Sequence, residues 1–199
     1  NMGAAGGIIS SAEDMIKWMQ FQLNNGINGN DTLFTKREQT TMWTPHVNYP
    51  VSDRAREVYG GRNFNGYGLG WGTTEYHGKQ MVSHTGGYDG MYSAVTMLPT
   101  EKIGVVILTN TMDGIGTLLS YEIIDRLLGL PQQDWKNRGI NQDKGHWADR
   151  AARIKERTDA RIMGTKPSMD VVAISGLYRC PLFGDIRILE ENGKLTIDF

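Results

Sequence analysis

Residues 80–110, QMVSHTGGYDGMYSAVTMLPTEKIGVVILTN, carry the strand signals that decide the fold of this chain. Apolar and β-branched residues form three short runs, with small and polar residues favouring turns between them. Just before them, YGLGWGTTEY at residues 67–76 alternates large residues with glycines, as in a strand with one bare face. HGK at residues 77–79 then supplies a turn. The pattern predicts four antiparallel strands in a meander.

Two amphipathic helices flank the predicted strands. The first is SSAEDMIKWMQFQLNNG at residues 10–26, where Ser10 and Glu13 fit a capping box. The second is GIGTLLSYEIIDRLLGLP at residues 114–131, which ends at a glycine and a proline. Helices outside an antiparallel meander indicate an α+β fold. The expected apolar stripes are Met15, Ile16, Trp18, Met19 and Leu23 on the first helix, and Leu118, Leu119, Ile123, Leu127 and Leu128 on the second.

The composition changes after the second helix. Residues 142–163 are highly charged, which favours a solvated connecting helix. Beyond them, short strand-like runs flank an Asn192-Gly193 hairpin turn. Because two or three strands cannot bury a core, we expect the beginning of a small β-rich accessory domain. The predicted division is therefore 1–130, 131–165 and 166–199.

Charge and residue counts exclude several classes of function. The net charge is −1, and no basic stripe is present for nucleic acid. No apolar run approaches the roughly 20 residues of a membrane-spanning helix. Cys180 is the single cysteine, and the four histidines lack HxxxH or HxH spacing. No G-x-G-x-x-G register fits the glycine-rich strand. From the cysteine count, the histidine spacing and this missing motif, we expect no disulfide, no metal and no nucleotide cofactor.

SHTGGYDGM at residues 83–91 is the best functional signal in the chain, and it allows three interpretations. A Ser83-His84 dyad fails on a strand, because consecutive side chains point to opposite faces. A hairpin turn at Gly86-Gly87, with His84 as a surface residue, stays open. The third interpretation is a docking edge, where glycine allows close approach and free amides donate to a carbonyl oxygen.

Four segments, taken in order, resemble a known family: AAGGIISSAEDMIKWMQFQLNNG, YGLGW, SHTGGYDGM and IGVVILTN. They are similar to the C-terminal half of serine hydrolases related to class C β-lactamases, penicillin-binding proteins, D-Ala-D-Ala carboxypeptidases and esterases. The resemblance covers residues 1 to about 130 and implies part of a β-lactamase-like fold. Residues 174–199 resemble the opening of the lipocalin-like β domain that is often appended to such hydrolases.

The resemblance implies roles for four consecutive residues, because the family's third motif is Lys-Thr-Gly or His-Thr-Gly. His84 would be catalytic, supplying a hydrogen bond and charge beside the nucleophile. Thr85 and Gly86 would bind substrate, through a carboxylate or amide contact and through room for the acyl portion. The N–H of Gly87 would be one oxyanion-hole donor. Histidine in place of lysine weakens a permanent positive charge, which favours peptide or ester substrates over β-lactams.

The family's other two motifs do not occur in this chain. No serine is followed three residues later by lysine, as Ser-x-x-Lys requires, and no tyrosine begins Tyr-x-Asn or Tyr-x-Ser. We expect a missing N-terminal half to carry them, so that this chain alone is inactive. A non-catalytic ligand-binding or sensor module, or a structural fragment whose β-rich end mediates contacts, stays open. The resemblance also implies a location outside the cytoplasm.

Overall fold

The computed structural model describes residues 6–166, 168–182 and 184–198. Two compact units divide the chain, one ending at Ala148 and the other beginning at Asp149. The first unit holds helices α1 (Ala12–Leu23), α2 (Lys36–Trp43), α3 (Asp53–Val58), α4 (Ile115–Leu128) and most of α5 (Trp135–Asp159), and strands β1 (Ile27–Asn28), β2 (Asp31–Thr32), β3 (Val47–Asn48), β4 (Asn65–Tyr67), β5 (Gly72–Tyr76), β6 (Lys79–Tyr88), β7 (Met91–Leu98) and β8 (Ile103–Thr109). The second holds α6 (Val171–Ile174) and strands β9 (Gly176–Cys180), β10 (Gly184–Glu191) and β11 (Lys194–Asp198).

A six-stranded antiparallel sheet organises the first unit, in the order β3-β4-β5-β6-β7-β8. Neighbours in sequence are neighbours in the sheet, so the predicted meander and α+β class are confirmed. Two-residue turns join β5 to β6 at His77-Gly78 and β6 to β7 at Asp89-Gly90. All four of these residues have positive φ, between 47° and 86°. That conformation matches type I′ turns, which suit the twist of paired strands.

One alternative that the sequence left open and one expectation about strand ends are wrong. Gly86 and Gly87 do not form a hairpin turn, because both lie inside β6 and the turn follows at Asp89-Gly90. The YGLGW segment is not one strand either: β4 ends at Tyr67 and β5 starts only at Gly72. Gly70 adopts φ +77°, and the Gly68 N–H donates to the Trp71 carbonyl at 2.7 Å. A tight turn therefore replaces the middle of the expected strand.

Helices cover both faces of the sheet. Neighbouring residues of β6 point to opposite faces, so Val82 and Met81 belong to two separate cores, and both are fully buried. On the first face, α1 and α2 pack over the sheet, with a buried cluster of Met19, Leu23, Trp43, Trp71, Val82, Val95 and Met97. On the second, α4 and the start of α5 pack over it, with a cluster of Tyr76, Met81, Leu98, Val105, Leu118, Tyr121, Ile124 and Trp135.

The helices begin and face slightly differently from their predictions. Ser11, not Ser10, caps α1, and its Oγ accepts the Asp14 N–H at 3.2 Å. Ile16 is 45% exposed, and Leu127 on α4 is 59% exposed. The charged stretch expected as a helix from residue 142 lies within a longer helix, α5, which begins earlier, at Trp135, and ends at Asp159. Its first residue is fully buried, which explains the earlier start.

A buried carboxylate ties the second core together. Asp125 on α4 is 1% exposed. The Tyr76 hydroxyl on β5 donates to its Oδ1, and the Trp135 Nε1–H of α5 donates to its Oδ2 at 2.7 Å. Because both donors are fully buried themselves, no water replaces these bonds. One side chain thus fastens the sheet to two helices.

Two buried tyrosines should make the protein sensitive to alkaline pH. Burial raises the pKa of Tyr76, and its hydrogen bond to Asp125 raises that pKa further. Burial also raises the pKa of Tyr121, although Arg62 beside it acts in the opposite direction. Unfolded tyrosines release their proton at about pH 10, whereas these two keep it in the folded state. The free energy of unfolding should therefore be fully retained below that pH and fall above it.

Titration of the phenolate absorbance checks this expectation. Of the eight tyrosines, Tyr76 and Tyr121 should ionise only as the protein unfolds, together with loss of circular dichroism. The Tyr76→Phe variant serves as the control, since it should remove one late-ionising group. Reversible ionisation of all eight in the still-folded protein would contradict the prediction.

The second unit is a small antiparallel sheet, in the order β11-β10-β9. The Asn192-Gly193 turn joins β10 to β11 with φ of 54° and 75°, so the predicted hairpin is confirmed. Arg179 bridges to Asp185 across the β9–β10 pair at 3.0 Å. The lipocalin-like resemblance and the boundaries 1–130, 131–165 and 166–199 stay predictions. Within the described ranges, no helix is long and apolar enough to cross a membrane.

Candidate functional site

Part of strand β6 has a free edge. Strand β5 pairs with β6 from Tyr76↔Lys79 up to Gly72↔Ser83 and then ends. Strand β7 continues to pair with the other side as far as Tyr88↔Met91. Residues 84–88 therefore have a neighbour on one side, and no strand among the described residues pairs with the other. We call this stretch the open edge of β6.

The register determines which backbone groups face the open edge. In a two-residue hairpin the closing pair, here Tyr88↔Met91, exchanges hydrogen bonds, and bonded pairs then alternate along the strands. The N–H and C=O groups of His84, Gly86 and Tyr88 are thus directed at β7. Those of Thr85 and Gly87 point the opposite way. Two amides of the segment therefore face outward at the open edge.

The side chains of the same segment divide between the two faces of the sheet. His84 follows Val82 on the face covered by α1 and α2, and it is exposed. Thr85 follows Ser83 on the opposite face and is exposed as well. Ser83 and His84 therefore diverge, as the strand interpretation requires, and they form no dyad.

The two glycines are not forced by packing within the described residues. A Cβ at Gly86 would lie 3.0 Å from the Ser93 Oγ, and one at Gly87 would lie 3.1 Å from the Met112 Cε. Both obstacles are movable side-chain ends. Because the two glycines have no side chains, another chain or a ligand can approach the backbone of β6 closely at this point.

Sequence reasoning missed the partner of His84. The Tyr67 hydroxyl at the end of β4 lies 3.0 Å from the Nε2 of His84. Tyr67 opens the YGLGW segment, so the sequence singled out its neighbourhood, but nothing there indicated a contact with residue 84. By contrast, Tyr92 has a structural contact, because its hydroxyl lies 2.8 Å from the Thr117 Oγ1 and links β7 to α4.

The predicted site residues are thus consecutive on one exposed strand segment: His84, Thr85, Gly86 and Gly87. Together they offer an imidazole, a hydroxyl and outward amides, which are groups that bind and polarise a carbonyl. Acyl transfer needs a nucleophile in addition. The individual roles of the four residues stay predictions. No cluster of three or more metal-ligating side chains occurs in the part of the chain that the structure describes.

Comparison with known proteins gives consistent results. Residues 1–127 match the protein family described as Beta-lactamase. The chain is 31% identical over 218 aligned residues to the unguisins hydrolase ungD of Aspergillus violaceofuscus, and 26% identical over 208 to the unguisins hydrolase ungD′ of Aspergillus campestris. These alignments include 98% and 99% of this chain, but the chain spans only 37% of each relative.

A solved structure shares the fold. The octameric penicillin-binding protein homologue from Pyrococcus abyssi superposes with a TM-score of 0.52 at 16% sequence identity. That match covers 94% of this chain and 34% of the other. The matched residues 1–127 contain the whole antiparallel sheet and its open edge, together with helices α1 to α3 and nearly all of α4. On the family match over most of its length, the chain belongs to the β-lactamase family.

Proposed function

We propose that this chain supplies the His-Thr-Gly strand and one oxyanion-hole amide of a serine acyl hydrolase. The nucleophile motif Ser-x-x-Lys would come from polypeptide outside these 199 residues. One observation carries the proposal: an exposed imidazole, that of His84, lies one residue from the first of two outward amides at an unpaired strand edge. That arrangement is what a tetrahedral acyl intermediate needs beside its nucleophile.

The amide of Gly87 is the proposed oxyanion donor. Its N–H points away from β7, and no described strand covers that direction. A fixed backbone donor needs no reorganisation when charge develops on the substrate oxygen, and losing one such donor typically costs about 3 kcal/mol of transition-state stabilisation. Because the donor is part of the backbone, its position depends on strand pairing and not on a side-chain rotamer.

Peptides or esters are the proposed substrates. On the resemblance, His84 would take the place of the lysine in Lys-Thr-Gly, and an imidazole does not carry the permanent positive charge of an ammonium. It would therefore attract the carboxylate of a β-lactam less strongly. Two curated relatives are named as unguisins hydrolases, which supports hydrolysis as the reaction. We place such an enzyme outside the cytoplasm, on the resemblance to extracytoplasmic hydrolases.

A non-catalytic binding module is the second candidate. It needs only the binding groups of the open edge, and neither Ser-x-x-Lys nor Tyr-x-Asn or Tyr-x-Ser. The same open edge would then hold a ligand without cleaving it. The polypeptide that precedes residue 1 discriminates the two candidates: the hydrolase requires both motifs there, and the binding module lacks them.

Replacing His84 by alanine in the longer protein tests the proposed function. We expect kcat/KM towards a generic ester or a D-Ala-D-Ala peptide to fall about a hundredfold, because removing one hydrogen-bond donor beside the reacting centre typically costs at least that much. His84 is exposed, so the thermal unfolding midpoint should not change. The His146→Ala variant is the matched control, since His146 is also exposed but lies on α5. Unchanged kcat/KM in the His84 variant would remove His84 from the site.

A further inference from the structure

We propose that Tyr67 is a positioning residue for His84, and that it selects which imidazole nitrogen is offered at the open edge of β6. The Tyr67 hydroxyl lies 3.0 Å from Nε2, whereas the structure gives Nδ1 no hydrogen-bond partner within the described residues. The nitrogen left for a ligand is therefore Nδ1. The catalytic consequence rests on the hydrolase function proposed above.

The main chain around Tyr67 is held in place from several directions. Its carbonyl accepts the His46 N–H at 2.8 Å. On the following residues, the Gly68 N–H donates to the Trp71 carbonyl at 2.7 Å and the Leu69 N–H donates to the Met42 carbonyl at 2.9 Å. The Tyr67 hydroxyl therefore projects from a fixed backbone, which is the property of a group that orients another.

The glycines on either side of Tyr67 show how closely this segment is packed. A Cβ at Gly66 would lie 2.7 Å from the Pro45 Cβ. A Cβ at Gly68 would lie only 2.0 Å from the Met42 carbonyl oxygen. Neighbouring atoms therefore leave no space for a side chain at either position. The YGLGW turn thus acts as a rigid support for one phenol ring, which is itself half-buried.

The chemistry of the pair favours one tautomer. The phenol O–H is a stronger acid than the N–H of a neutral imidazole, and the unprotonated ring nitrogen is a good acceptor, so the Tyr67 hydroxyl is the better donor of the pair. With the Tyr67 hydroxyl donating to Nε2, the ring proton must sit on Nδ1. His84 then presents its Nδ1–H as a hydrogen-bond donor. Without the hydroxyl, either nitrogen can carry the proton and the ring is free to turn.

Nitrogen NMR of the imidazole decides whether Tyr67 controls His84. In this chain, His84 should show a single tautomer with the proton on Nδ1, and Tyr67→Phe should convert it to a mixture. Tyr92→Phe is the matched control, because Tyr92 lies on the neighbouring strand β7 and its hydroxyl contacts Thr117 of helix α4, not His84. That variant should leave the tautomer unchanged. The same His84 tautomer in the wild type and in Tyr67→Phe would overturn the proposal.

Kinetics on the longer protein test the catalytic consequence. Tyr67→Phe should lower kcat/KM about tenfold, the value of one good hydrogen bond. In a His84→Ala background the same substitution should have no further effect, because Tyr67 acts through His84. Equal losses in both backgrounds would overturn the positioning role. Full activity of His84→Ala would instead refute the hydrolase function, while the NMR result would still decide the coupling of the two side chains.

Discussion

Replacing Asp125 by alanine should lower the free energy of unfolding by about 4 kcal/mol. The substitution removes the acceptor for two fully buried donors, the Tyr76 hydroxyl and the Trp135 Nε1–H. Neither donor can turn to water, because both side chains have no exposed surface. The loss therefore includes two charge-assisted bonds and the desolvation of two unpaired polar groups. Few single substitutions in this chain should cost as much.

Urea unfolding of matched variants separates the two bonds. Tyr76→Phe removes one donor and leaves the carboxylate bound to Trp135, so we expect a loss of about 1 to 2 kcal/mol. In Asp125→Asn, the amide oxygen can still accept from the Tyr76 hydroxyl, but the amide NH₂ then faces the Trp135 Nε1–H, which has no acceptor. The loss of unfolding free energy should therefore lie between those of Tyr76→Phe and Asp125→Ala. If Asp125→Ala lowered the free energy of unfolding no more than Tyr76→Phe does, the carboxylate would not hold the sheet and the two helices together as the structure indicates.

Replacing Gly68 by alanine should be the second most damaging change, at about 3 kcal/mol. The new Cβ would lie 2.0 Å from the Met42 carbonyl oxygen and 2.9 Å from that of Thr44. Both obstacles are backbone atoms at the end of α2, which cannot move aside as a side chain could. The YGLGW turn must shift instead, and Tyr67 should shift with it away from His84.

The Gly145→Ala variant is the control for that experiment. Gly145 lies within helix α5, and a Cβ there would meet no atom within 4 Å. Alanine in a helix interior is favoured over glycine, so this variant should be more stable by about 0.5 to 1 kcal/mol. Thermal unfolding of the two variants should move in opposite directions. A Gly68→Ala protein with the wild-type midpoint would show that the close approach is not rigid.

Periodicity was sufficient to predict the meander but not its first turn. The runs after residue 79 alternate or are continuously apolar, and each became a strand of the sheet. YGLGW alternates equally well, yet Gly70 adopts φ +77° and folds the segment into a turn. Alternation with glycine is compatible with both outcomes, because glycine occupies left-handed and extended conformations with similar ease. Here the turn is accompanied by a hydrogen bond from the Leu69 N–H to the Met42 carbonyl at 2.9 Å, a contact that the local pattern does not contain.

The candidate site was predictable in part for a simple reason. Its four residues are consecutive, so one quoted segment contained them all. The Tyr67–His84 contact joins residues 17 apart on strands that are not neighbours in the sheet. Its existence depends on the register of β5 between them and on where β5 begins. The local sequence pattern predicts neither the register of β5 nor its first residue, so it could not predict the contact between Tyr67 and His84.

The two-residue loop at Asp89-Gly90 has a consequence for how this site can vary in evolution. The length of this loop determines which amides of β6 point towards the open edge. Because the donors at residues 85 and 87 are backbone groups, most side-chain replacements should leave their direction unchanged. Inserting or deleting a single residue there would exchange the inward and outward sets unless a bulge absorbed the difference. Homologues that retain this site should therefore differ in the side chains of the β6–β7 hairpin but keep the same number of residues in its loop.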